Sequence, residues 1–189
     1  GLGGSAFLQI VHKTKSGTPP PCDLAQAQLL HTTLLGLIHA GGIKSAHDCS
    51  EGGLAVALAE SCISNNPTRE TPALIGATID LTAWIPVETE DMDDAHHEVD
   101  EQDEESEDGF QARLDGLLFG EAHSRIVVST TAADATKVIE RARLMGVPAH
   151  HIGTVGGGDL TIKTGASESR WAVAELHDYW WNSIARTMA

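Results

Sequence analysis

Positive charge is scarce in this chain. Its 189 residues carry 12 Lys and Arg against 27 Asp and Glu, a formal net charge of -15. Nucleic acid and anionic membrane surfaces would be repelled, so neither is expected as a partner. Cysteine is also rare. Cys22, Cys49 and Cys62 are odd in number and show no paired spacing, which predicts reduced thiols in a cytoplasmic protein, with neither a disulfide framework nor a zinc site. No apolar run reaches the length of a bilayer span, and no signal peptide is visible. The motifs with strict catalytic spacing are missing too: no G-x-x-x-x-G-K-S/T loop, no G-x-S-x-G elbow, no H-E-x-x-H pair. His150 and His151 precede a strand and point to opposite faces, so no shared metal is expected there or elsewhere. The chain opens on Gly1-Leu2-Gly3-Gly4-Ser5 without an initiator Met, which reads as the middle of a longer polypeptide.

The negative charge is not evenly spread. Roughly half of the 27 acidic residues lie between Glu88 and Asp108. Residues 86–109 lack hydrophobic periodicity and cannot bury a face, so they read as a solvated, disordered surface insert. An acidic docking arm is the functional alternative, and His96 and His97 within it offer only weak metal binding. The remainder is close to neutral and of a length that suits one domain, 1–189, with a substantial core.

Along the chain, residues 6–11 read as a strand and 14–21 as a Gly/Pro loop. Asp23 is the N-cap of a helix to about residue 40, with the stripe Ala27, Leu30, Leu34, Leu37 and Ile38. A short strand over 43–47 precedes a helix over 51–64. Residues 65–71 form a turn and 74–81 a strand. Residues 110–118 read as a helix, 125–129 as a buried strand, and 133–145 as a helix closed by Gly146 and stopped by Pro148. Strands over 150–155 and 160–164 are expected to pair as a hairpin across Gly156-Gly157-Gly158-Asp159. A final helix over 171–184 places Val173, Leu176, Trp180 and Ile184 on one stripe, with its tryptophans in the core. No internal repeat is present. Strands and helices mix without strict alternation, which favours an α+β class over a doubly wound sheet.

The densest chemistry lies at residues 45–60, SAHDCSEGGLAVALAE. A polar cluster and two glycines stand before an apolar helix, where free backbone N–H groups and the macrodipole suit an anion. His47, Asp48, Ser50, Gly52 and Gly53 are therefore candidates for contact with a phosphate or nucleotide. Gly3, Gly4 and Ser5 form a second small-residue turn that joins the candidates if it lies nearby. The plain alternative is an ordinary helix start, capped by Ser50 or Asp48 with glycines for tight packing. His47 and Asp48 suit orienting the loop better than moving protons. Cys49 reads as a small buried filler. Arg125 could reach a phosphate, although an arginine beside a strand more often pairs with a carboxylate, here Glu121 or Asp115.

The wording of this segment resembles the signature in the last domain of the phosphoribosylformylglycinamidine synthase family. Four further segments resemble that family in order: GGSAFL at Gly3, PPPCDL at Pro19, LFGEAHSRIVVS at Leu118, and VPA with IGTVGG from Val147. The resemblance implies the second domain type of the aminoimidazole ribonucleotide synthetase superfamily, a layered α/β/α domain with a ferredoxin-like trace. For the whole enzyme it implies ATP and Mg, the other synthase domains, a glutaminase subunit and a small accessory subunit. It also implies that the catalytic histidine, the ATP-gripping residues and the magnesium ligands lie mainly in earlier domains. No catalytic residue is therefore assigned to this chain, and no cofactor is assigned to the fragment itself. Two rivals stay open: a non-catalytic docking module, and a domain of a sibling ATP-dependent enzyme of the selenophosphate synthetase, thiamine-monophosphate kinase or hydrogenase-maturation type.

Overall fold

A computed structural model describes residues 1–63, 74–84, 113–165 and 167–188. The turn expected over 65–71 and the acidic stretch 86–109 lie outside these residues. Among them no helix is long and apolar enough to cross a membrane.

The first helix, α1, spans Ala6–Ile10, where the sequence reads as a strand. Ser5 caps it by accepting from Leu8 N, and the Phe7 ring stacks on Phe119 at 4.6 Å. Five residues cannot sustain a helix on propensity; contacts remote in sequence hold this one. The next, α2, spans Leu24–His39 as expected, because the Asp23 carboxylate accepts from Ala25 N and Gln26 N at 2.9 and 3.1 Å. It packs Leu37 against Val138 and Ala142 of α5 (Ala135–Leu144). Gly146 closes α5, with Val147 N bonding back to Ala142 O at 2.9 Å.

Strand β1 (Ser45–Asp48) pairs antiparallel with β3 (Ile126–Ser129), Ser45 opposite Ser129 and Asp48 opposite Ile126. The strand expected to be buried, β3, is only half-buried throughout. Helix α3 (Gly53–Ile63) follows β1 and buries Leu54, Ala57, Leu58 and Cys62, the spacing of one helical face. That face meets Ala77 and Ile79 of β2 (Ala77–Asp80) and Leu160 and Ile162 of β5 (Asp159–Lys163) in the main core. These two strands belong to a four-stranded sheet in the order β4-β2-β5-β6, with β4 at Gly153–Val155 and β6 at Glu168–Ala172. A single turn of 3-10 helix (Thr82–Trp84) follows β2, and α4 spans Leu114–Phe119. The mixture is the expected α+β one.

The expected hairpin is not formed. β4 and β5 flank β2, antiparallel on one side and parallel on the other. The glycine turn instead bridges the end of β2, with Gly76 N donating to Gly157 O and Gly156 N to Gly76 O. A Cβ on Gly76 would collide with the Asp159 carbonyl oxygen, so a bare residue lets the strand enter between the two. The last helix also differs. Residues 168–172 pair with β5, so α6 begins at Val173 and ends at Trp181, and α7 spans Ser183–Met188. Val173 is buried, but Trp171, Trp180 and Trp181 are 42%, 48% and 47% exposed. The tryptophans thus lie at the surface of this domain, where indole stacks against neighbours such as His177.

Between the two core clusters runs a largely apolar cleft of about 450 Å³, lined by Leu30, Thr33, Leu34, Val127 and Val138 among others. Among the described residues the buried Thr33 hydroxyl has no hydrogen-bond partner. Val has the same shape without the polar atom, so Thr33→Val is expected to stabilise the chain by about 1 kcal/mol, read as a higher urea midpoint.

Candidate functional site

Residues 48–53 carry the polypeptide from sheet to helix. Cys49 extends the β1–β3 ladder, its N–H bonding to Arg125 O at 3.0 Å, and is 1% exposed. Burial pushes its thiol up, opposed in part by Arg125, which suits the expected inert filler. Beyond it the chain turns through Gly52 and Gly53, both left-handed at φ 75° and 76°. A Cβ on Gly53 would stand 2.7 Å from Leu118 O and 2.8 Å from the Phe119 backbone. That glycine therefore permits the close approach of α4 to α3.

One N–H at this turn, that of Gly52, is already bound. Glu121 Oε1 accepts from Gly52 N at 2.8 Å and from Ala6 N at 3.0 Å. One carboxylate oxygen thus joins the SAHD segment, the Gly3–Ser5 turn and the LFGE segment. The two small-residue turns do lie near each other, as the sequence left open. Gly4 N bonds to Ser16 O at 3.1 Å, Ser5 is buried, and a Cβ on Gly3 would collide with the Thr18 carbonyl oxygen. These residues build a tight turn of the chain upon itself.

The polar candidates are also occupied. His47 Nδ1 donates to Asp48 O at 2.7 Å, and Nε2 lies 3.1 Å from Glu60 Oε2 on α3. His47 ties strand to helix, in the orienting role expected of it. Hydrogen bonding from the Ser50 hydroxyl, then from its own N–H, holds the exposed Asp48 carboxyl below its usual range. A depressed folded value stabilises above the ordinary carboxylate range and is lost as pH falls through the lowered value. Ser50→Ala is expected to move the Asp48 titration upward toward the ordinary value, followed by carboxyl NMR. Arg125 makes neither expected ion pair. Its Nη1 donates to Gly120 O at 3.2 Å and its Nη2 to Leu117 O at 2.9 Å, satisfying carbonyls at the end of α4. Asp115 pairs with Arg113 instead, at 2.6 Å.

This arrangement already commits several of the groups a phosphate would use. Gly52 N is taken by Glu121, Arg125 is spent on carbonyls, and the exposed carboxylates of Asp48 and Glu51 flank the turn. Among the described residues no group of three or more His, Cys, Asp or Glu could hold a metal ion. Glu121 is the residue that sequence reasoning undervalued. Its partners lie 69 and 115 residues away, so no local spacing announces it.

The family model described as AIR synthase related protein, C-terminal domain, matches residues 1–164. Phosphoribosylformylglycinamidine synthase subunit PurL of Anaeromyxobacter dehalogenans is 37% identical over 185 residues, covering 97% of this chain and 20% of that protein. The subunit of the same name from a Nostoc species is 35% identical over 193 aligned positions, covering 100% and 21%. The chain thus spans about one-fifth of the length of these curated relatives. Among solved structures, Thermotoga maritima PurL complexed with FGAR superposes with a TM-score of 0.62 at 18% identity, over 87% of this chain and 23% of that one. PurLQS from the same organism gives 0.58 at 18% identity, over 93% and 25%. At such identity these structures speak for the fold.

Proposed function

The chain belongs to the AIR synthase related protein, C-terminal domain family, and from that membership we propose that it is the C-terminal domain of a phosphoribosylformylglycinamidine synthase. The observation that carries this reading is the match to PurL subunits along 97% of the chain at 37% identity. The whole enzyme would amidate formylglycinamide ribonucleotide with ATP and glutamine-derived ammonia. Phosphorylation would activate the formamide oxygen, and ammonia would then displace phosphate. ATP and Mg would be held mainly by the other domains of the synthase, as the family resemblance implies. A glutaminase subunit and a small accessory subunit would complete a cytoplasmic assembly.

Within that enzyme this domain's work is structural. His47 fixes β1 to α3 through Glu60, and Glu121 fixes α1 and α3 to the end of α4. The eight residues of the two small turns, 3–5 with His47, Asp48, Ser50, Gly52 and Gly53, shape this junction. The test compares the whole polypeptide with the 189-residue chain, each given formylglycinamide ribonucleotide, ATP, Mg and ammonium. Amidine and ADP are expected from the whole polypeptide and no turnover from the chain alone. Turnover by the chain alone, or none by the whole polypeptide, would overturn the reading.

A further inference from the structure

We propose that Glu121 is a built-in anion: its carboxylate takes the place that the start of α3 offers to a phosphate, and the same oxygen locks the N-terminal turn against that helix. The disagreement between the residues and the nucleotide implied for the whole enzyme thus has a structural cause. It does not depend on the assignment to a synthase, because every contact in it lies within this chain.

The geometry is that of an anion site with its occupant supplied. Two backbone donors from distant segments, Gly52 N and Ala6 N, converge on Oε1 at 2.8 and 3.0 Å. Hydrogen bonds to a charged acceptor are about twice as strong as neutral ones. The carboxylate is also held from behind. Gly120 N bonds to Gly116 O at 3.0 Å, and Arg125 grips the Gly120 and Leu117 carbonyls. Phe119 is stacked on Phe7, so the residue next to Ala6 is drawn to the same place. Gly53 lets the α4 backbone come close enough for Glu121 to reach the turn. A phosphate arriving here would have to displace this tethered carboxylate and tolerate Asp48 and Glu51 beside it. Glu121 is accordingly a positioning residue.

Amide hydrogen exchange on the whole polypeptide, read by mass spectrometry, tests the proposal. In Glu121→Ala, peptides holding Ala6 and Gly52 are expected to exchange about tenfold faster, and together, the factor that loss of a hydrogen bond to a charged group gives. Added acetate, titrated to saturation, should slow both again by refilling the vacated place. Chloride at equal ionic strength should not, and the wild type should respond to neither. A side chain that mattered only through packing would not be rescued by a free carboxylate. Should the alanine variant fail to fold, Glu121→Gln decides. It keeps an accepting oxygen without the charge, so both segments should accelerate together by a smaller factor. Acceleration at one segment only, no change at either, or a joint change in a folded alanine variant that acetate leaves in place would overturn the proposal.

Discussion

Replacing Gly53 by Ala is expected to destabilise the chain by about 3 kcal/mol. Holding an L-residue in the left-handed region costs roughly 1–2 kcal/mol, and Gly53 sits there at φ 76°. The added methyl would also stand 2.7 Å from Leu118 O, and backbone atoms cannot swing aside as a side chain would. Overpacking of this kind adds about 1–3 kcal/mol. A domain of ordinary stability has about 5–15 kcal/mol in all, so the urea midpoint should fall visibly. The same change at Gly36, inside α2 with no atom of the described residues within 4 Å of its missing Cβ, is expected to stabilise by about 0.5–1 kcal/mol. The contrast separates two explanations of the glycine pair. Were Gly53 there only to admit a phosphate, its Ala variant would lose just the roughly 1–2 kcal/mol of the left-handed backbone, without the overpacking cost.

The second large effect is expected at Leu160. It is 2% exposed, lies on β5 between Ala77 and Trp171 in the sheet register, and belongs to the core face that α3 covers. Leu160→Ala removes its methyl groups from the main core and leaves a cavity, for which about 3 kcal/mol is typical. Calorimetric unfolding of the variant would show a lower Tm. A loss under about 1 kcal/mol would mean that α3 does not press on β5 as described.

How much of this was legible in the sequence depended on how local its causes are. Helix α2 was legible because the apolar stripe lies within it and Asp23 and the closing glycines lie at its two ends. Helix α5 was legible because Gly146 and Pro148 end it chemically. Residues 6–10 were not, since their helix rests on Phe119 and Glu121, more than a hundred residues along the chain. The pairing of β4 with β5 misled for a related reason. The glycines at 156–158 suit a hairpin, but only the fold shows β2 standing between the two strands. Helical spacing placed Val173 in the core correctly and carried Trp180 there wrongly. β6 takes residues 168–172, the helix begins at Val173, and Trp180 near its end stays half-exposed.

The candidate site divides in the same way. Spacing alone brought His47, Asp48, Ser50, Gly52 and Gly53 together, because they are neighbours in the chain. It also raised the possibility that Gly3, Gly4 and Ser5 lie close, which Glu121 explains. What it could not supply was the occupant. A carboxylate at a helix start and a phosphate at a helix start satisfy the same N–H groups, and the sequence around the glycines looks alike in both cases.

The central claim is that this turn is a structural junction filled by its own side chain. Hydrogen exchange of the whole polypeptide with and without saturating Mg-ADP tests it most directly. The account predicts unchanged exchange at residues 48–54, with any nucleotide protection falling outside this domain. Saturable protection confined to residues 50–54 would contradict it and return the turn to the nucleotide.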